Sequence, residues 1–281
     1  PNGVNRVILA TDGDFNVGLA STEELIDLVQ RQREAGIALT TLGFGTGNYN
    51  DHLLEQLADE GNGNYAYIDR LSEARKVLAE ELSATLLTIA KDVKIQVEFN
   101  PAVVSEYRLI GYENRLLNEQ DFNNDRVDAG EIGAGHRVTA LYEISLAESG
   151  FQRLPDRRYA AGGEPGTGMR TAYGAELAHL RIRYKLPAEE RSRLIETPIL
   201  RHDVVSSTAQ ASEDFRFAVA VAGFGQKLRG GSYLESWSYT DITELARHAR
   251  GADPWGYRSE FLQLVALADS LAGRRLVAMN G

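Results

Sequence analysis

The order of apolar and polar positions divides the chain into three stretches. Between residues 5 and 90, short apolar runs alternate with stripes of helical period. Val7-Ile8-Leu9-Ala10, following Arg6, is a continuous apolar run ending in Thr11-Asp12-Gly13, which predicts a strand buried on both faces. Ser21-Thr22-Glu23-Glu24 has the spacing of a capping box, and Leu25, Leu28 and Val29 then share one helical face up to Gly36. Ile37 to Phe44 reads as a second buried strand, with Gly43, Gly45 and Gly47 marking a tight turn at its end. Leu53, Leu54, Leu57 and Ala58 form a helical stripe that Gly61 closes, and Tyr65-Ala66-Tyr67-Ile68 is a third strand. Ser72 is placed to cap a long helix carrying Val77, Leu78, Leu82, Leu86 and Ile89. Strands and helices alternating through short loops predict a parallel sheet covered by helices.

The period changes near Lys91. Val93, Ile95, Val97 and Phe99 alternate with Lys94, Gln96 and Glu98, which predicts one dry and one wet face. Val138 to Leu146 and Leu180 to Leu186 repeat the alternation, so an antiparallel β-domain is expected over 92–205. The glycine-rich stretch from Ala160 to Gly174 reads as a loop within it. From Ser212 the pattern turns helical. Phe215, Ala218, Val219 and Ala222 make a well-buried helix, Thr240-Asp241-Ile242 opens a second with Leu245 and Ala249 inward, and Phe261, Leu264, Val265, Ala268 and Leu271 make a third that ends at Gly273. The expected organisation is an α/β segment at 1–91, a β-sandwich-like domain at 92–205 and a helical region at 206–281.

Composition narrows the chemistry. The 281 residues include 30 Lys+Arg, 40 Asp+Glu and no cysteine, for a net charge of −10. Disulfides, thiolate zinc sites and thiol catalysis are therefore excluded. The acidic balance argues against non-specific nucleic-acid binding, which depends on neutralising phosphates, and suits binding of cations. No apolar run approaches the roughly 20 residues of a membrane helix.

Asp12 carries the first candidate chemistry. In open α/β sheets ligands bind beyond the carboxyl ends of strands, where Asp12 is expected. A carboxylate there, with hydroxyl and amide oxygens nearby, offers hard ligands for Mg²⁺ or Ca²⁺. The alternative is that Asp12 and Asp14 only turn the chain and cap a helix. The run ending in Thr11-Asp12-Gly13 resembles the third motif of the von Willebrand factor type A domain. With Leu42-Gly43-Phe44-Gly45-Thr46-Gly47-Asn48-Tyr49-Asn50-Asp51, Gly61-Asn62-Gly63-Asn64-Tyr65 and Ile89 through Pro101, the chain resembles the bacterial YfbK-type proteins, which follow such a domain with a C-terminal region. The resemblance implies the C-terminal half of a doubly wound parallel-sheet domain, in which Asp12 helps hold the divalent ion of a metal-ion-dependent adhesion site. Thr11, Asp14, Asn16, Asn48 and Asn50 are candidate rim residues. The first motif of that site, Asp-x-Ser-x-Ser, occurs nowhere in these residues. It is expected upstream of Pro1, and the chain alone is expected to bind the ion weakly or not at all.

Asp121, Asn123, Asp125 and Asp128 form a second acidic cluster with the odd-position spacing of a calcium loop. Arg126 stands where such a loop has glycine and Ile132 where it has a bidentate glutamate, so a solvated turn competes with the calcium reading. His179, Arg181, Arg183 and Lys185 form a basic stripe expected to face solvent, and the five histidines are dispersed.

The resemblance implies a non-enzymatic adhesion module of the bacterial cell envelope, of lipoprotein type and extracytoplasmic. It would bind a protein partner whose acidic group completes the metal shell. The alternative is a Mg²⁺-dependent phosphoryl-transfer enzyme resembling Toprim domains, using Asp12 and Asp14; the basic, aromatic-rich face of a nucleic-acid enzyme is missing. A parallel sheet beginning at Arg6 is also expected to leave one edge unpaired. Residues 1–90 are then expected to gain a further partner: the upstream half of the same domain, another part of the chain or a neighbouring copy.

Overall fold

The computed structural model describes residues 5–12, 21–45, 50–80, 87–111, 116–127, 129–150, 153, 173–234 and 236–279. The chain forms two compact units that interleave in sequence. The first comprises 1–97, 117–138 and 180–197, and the second 98–116, 139–179 and 198–281. They interleave because long strands contribute residues to both.

The first unit opens with three parallel strands, β1 (Asn5–Thr11), β2 (Ile37–Phe44) and β3 (Tyr65–Ile68), in the order β1-β2-β3. Helix α1 (Thr22–Glu34) starts with the expected capping box: Glu24 N–H donates to Ser21 Oγ at 3.2 Å and Ser21 N–H to Glu24 Oε2 at 2.9 Å. Helix α2 (Asp51–Glu60) buries Leu53, Leu54, Leu57 and Ala58. Strand β2 is central and buried on both faces. On one, the Thr41 hydroxyl donates to the Leu54 carbonyl at 2.9 Å; on the other, Leu42 packs with Ile68 and Val77.

The unpaired edge expected at β1 is found among the described residues: β1 pairs only with β2, and Val7, at 51%, and Ile8 are exposed rather than buried on both faces. A continuous apolar run does not by itself distinguish an edge strand from a central one. The helix expected from Ser72 does not reach Ile89. Helix α3 (Leu71–Arg75) passes into a π turn at Lys76–Glu80, residues 81–86 lie outside the described set, and Ile89 belongs to strand β4 (Thr88–Phe99). The ladder wins at this end, since Thr88 pairs with Gly133 and Ala90 with Ile132.

The remaining strands are β5 (Val104–Ile110), β6 (Gly130–Gly133), β7 (Leu141–Leu146), β8 (Glu176–Lys185) and β9 (Arg193–Leu200). They form a four-stranded sheet, β6-β4-β8-β9, and an antiparallel β5–β7 pair. Residues 160–172 of the expected loop lie outside the described residues. The expected faces of β4 are not those observed: Lys94 is 3% exposed and Ile95 45%. The segment 118–125 folds back over the Lys94 side and supplies oxygen acceptors there.

Helices α4 (Glu213–Leu228), α5 (Tyr239–His248) and α6 (Tyr257–Met279) complete the second unit. Ala220, Ile242, Ala246 and Val265 are fully buried at their centre, packed with Phe217, Phe224, Trp237 and Phe261. The inward stripe of α6 is narrower than expected. Leu264 and Leu271 are exposed, and the helix continues past Gly273 to Met279. Phe215 of α4, expected to be buried, is also exposed.

A glycine pair tests this packing. A Cβ at Gly63 would lie 1.6 Å from the Leu39 carbonyl oxygen, and backbone cannot move aside cheaply. Gly63→Ala is expected to cost about 3 kcal/mol or more in urea denaturation. At Gly225, inside α4, a Cβ meets nothing within 4 Å. Gly225→Ala is expected to stabilise by about 0.5–1 kcal/mol in the same assay.

Candidate functional site

The parallel register pairs Thr11 with Gly43, so β1 and β2 end side by side at one edge of the sheet. Asp12 is the next residue and is exposed. Across from it Gly45 has φ +88°, and a Cβ built there would lie 3.9 Å from the Asp12 Cβ. Glycine therefore lets the chain turn in a left-handed conformation while keeping the space beside Asp12 free of a side chain. The Tyr67 hydroxyl, from the end of β3, donates to the Gly45 carbonyl and holds that turn. Tyr65 likewise donates to the Asp51 carboxylate at the start of α2.

Of the expected rim residues, Thr11 closes β1 beside Gly43. Asn50 caps α2, its Oδ1 accepting from Leu53 N–H at 3.1 Å, so this amide has a structural task. Asp14, Asn16 and Asn48 lie outside the described residues. Among the described residues, no three His, Cys, Asp or Glu side chains gather closely enough to hold a metal. Asp12 and Thr11 are hard oxygen donors, of the kind Mg²⁺ and Ca²⁺ take. They are too few for the six or more ligands of such ions.

The second acidic cluster is organised by internal cations. Lys94 Nζ donates to the carbonyls of Asp121, at 3.2 Å, and Asn124. Lys185 Nζ donates to the Asp125 carbonyl at 2.8 Å and to Asp92 Oδ2 at 2.6 Å. Arg183 reaches Asp125 Oδ1 through Nε at 3.0 Å and Nη2 at 2.9 Å, and Asn123 Oδ1 at 3.4 Å. Asp121 Oδ2 accepts from the Asn118 amide at 3.2 Å. Asp128 lies outside the described residues.

The basic stripe is thus not solvated as expected, since Lys185 is only 6% exposed and is paired. Lys94 and Asp92 were not candidates from sequence. Asp92 stands at a register break between Ala90 and Val93 with φ +52°, a bulge that aims its carboxylate at Lys185. One signal did exist: Phe122, alone in a polar stretch, is buried and anchors the returning loop.

These contacts set the charges. Hydrogen bonding by Ser192, and then Arg183, holds the Asp125 carboxyl below the ordinary carboxylate range. The Asp92 hydrogen bond raises Lys185, while burial lowers Lys94 against the attraction of Asp92 and Asp125.

Residues 84–271 match the family model described as "Uncharacterized protein YfbK, C-terminal". Over 271 residues the chain is 49% identical to the uncharacterized protein YfbK of Escherichia coli strain K12, covering 96% of this chain and 45% of that one. It is 29% identical over 170 residues to human inter-alpha-trypsin inhibitor heavy chain H3, covering 56% of this chain and 18% of that protein. The chain thus spans less than half the length of the curated relatives it matches. A solved von Willebrand factor type A structure from Catenulispora acidiphila aligns with 89% of this chain and 56% of its own, at TM-score 0.38 and 14% identity.

The lowered carboxyl of Asp125 gives an acid-side prediction. Its contribution to stability is complete above its unfolded pKa and is lost as pH falls through the lowered folded value. Urea midpoints of the wild type should therefore drop below about pH 4. Asp125→Asn should be less stable at neutral pH and show a flatter acid limb. Lys185 acts in the opposite sense: its contribution is present at neutral pH and is lost only as alkaline pH passes its raised value.

Proposed function

The chain belongs to the YfbK C-terminal family, and from that premise we propose that it serves as a non-enzymatic module that binds a protein partner at the bacterial cell envelope. In this reading a divalent cation, Mg²⁺ or Ca²⁺, bridges Asp12 and an acidic group of the partner. The observation that carries it is the position of Asp12, exposed at the carboxyl ends of two parallel strands and facing a glycine turn. A hard cation there would find carboxylate and hydroxyl oxygens and open coordination positions for a partner's oxygen. Thr11 sits at the rim; Asp14, Asn16 and Asn48 are rim candidates from the sequence. Ligands beyond these come, in this proposal, from a longer polypeptide, as in the E. coli relative of which this chain aligns with 45%.

The exposed side of β1 supports the same reading. Val7 and Ile8 are exposed on a strand paired on one side among the described residues. A further parallel strand at that edge would cover them and bring additional residues to the end where Asp12 stands.

Calorimetry tests the proposal. Mg²⁺ added to residues 1–281 should give negligible heat, whereas a polypeptide of the relative's full length should bind it. Asp12→Ala in the longer chain should weaken binding by about tenfold or more, as loss of one charged ligand implies. Tight binding by 1–281 alone, or unchanged binding in the long Asp12→Ala variant, would contradict the proposal.

A further inference from the structure

The turn from α2 into β3 contains the dipeptide Asn62-Gly63, and neither residue can be exchanged freely. Asn62 has φ +48°, a left-handed conformation that asparagine and glycine adopt at least cost. Gly63 passes so close to the Leu39 carbonyl that a Cβ would lie 1.6 Å from its oxygen. Packing thus places together two residues whose pairing is chemically weak. Glycine carries no side chain to shield its backbone nitrogen, which can attack the carboxamide of the asparagine before it. Asparagine is accordingly among the thermolabile residues.

We propose that Asn62 is a site of spontaneous deamidation that the native turn holds closed. In the step, the Gly63 nitrogen gives its proton to solvent and bonds to Asn62 Cγ; the Cγ–Nδ2 bond breaks and ammonia leaves. Water then opens the resulting succinimide at either carbonyl, giving aspartate or isoaspartate. The native turn opposes the first bond at both atoms. Gly63 N–H donates to the Ala58 carbonyl at 2.9 Å, so it is turned toward α2. Asn62 Nδ2 reaches Glu131 Oε1 at 3.4 Å, which draws the carboxamide toward β6. Attack therefore requires local opening, whose frequency sets the rate.

The product matters because the turn is pinned on both sides. Leu39 N–H donates to the Gly61 carbonyl at 2.8 Å and Thr41 N–H to the Asn64 carbonyl at 3.0 Å, with only residues 62 and 63 wholly between these anchors. Isoaspartate routes the backbone through the side chain and adds one methylene to that short span. With Gly63 already against the Leu39 carbonyl, the extra atom has no room, and one anchor must break. Aspartate, with an ordinary backbone, keeps both anchors and only sets a second carboxylate beside Glu131. The site lies within the first unit and is independent of the metal proposed at Asp12.

Peptide-map mass spectrometry after incubation at mildly alkaline pH reads the conversion, and chromatography separates aspartate from isoaspartate. In the native 281-residue chain, conversion at Asn62 should be at least about tenfold slower than in the urea-unfolded chain, since only opened molecules react. In urea below the unfolding midpoint, the rate should rise in step with hydrogen exchange of the Gly63 amide. Chains converted to isoaspartate in urea and returned to buffer should lose exchange protection at the Leu39 or Thr41 amide. Asn62→Asp chains, which carry the charge without the extra methylene, should keep it at both. Equal rates in the native and unfolded chains, a native rate unrelated to Gly63 exchange, or isoaspartate chains that keep both protected amides would overturn the proposal.

Discussion

The parallel pairing of β1 with β2 is the constraint on which the candidate site rests. Its register, from Asn5 opposite Ile37 to Thr11 opposite Gly43, ends both strands together. Asp12 therefore leaves the sheet beside the Gly45 turn. A slip of one residue would reverse the faces of β1 and carry Asp12 away from that turn. The register holds because β2 is buried on both faces and cannot slide without breaking the Thr41–Leu54 hydrogen bond or displacing Leu42 from its contacts with Ile68 and Val77. Gly61 and Gly63 add to the lock, since the chain at Gly63 passes too close to Leu39 for any side chain. The site's geometry is thus fixed from the centre of the sheet outward.

Where local chemistry decided the outcome, the sequence was readable. The Ser21–Glu24 box, the Leu53/Leu54/Leu57/Ala58 stripe and the Ser212 start of α4 all stand where their spacing predicts. Asp12 stands just beyond β1, where the end of the apolar run predicts it. Reading failed where a distant segment set the environment. Lys94 looked like the wet side of an alternating strand because the covering loop at 118–125 is far from it in sequence. Ile89 looked helical because an apolar stripe near a strand boundary fits either period. The apolar run at Val7 and Ile8 alone suggested burial on both faces, because apolarity does not record the number of neighbouring strands, whereas the start of the sheet at Arg6 pointed to the unpaired edge observed among the described residues.

The Asp121–Asp125 cluster and Asp12 stand in different surroundings. Around Asp121–Asp125 the oxygens accept from Lys94, Lys185 and Arg183, so the chain supplies its own cations. Two lysines this buried persist only because carbonyls and carboxylates surround them. Asp12 stands exposed at a strand end. In the proposed reading, added divalent ions are directed by local geometry rather than by total charge.

Paramagnetic relaxation by Mn²⁺ tests that distinction most directly, because it locates even weakly held ions. In amide spectra of residues 1–281, low concentrations of Mn²⁺ should broaden first the signals of Thr11, Asp12, Gly43 and Gly45. The Asn118–Asp125 loop should broaden no faster than other exposed carboxylates. Preferential broadening at that loop, or uniform broadening over all surface acids, would contradict the account.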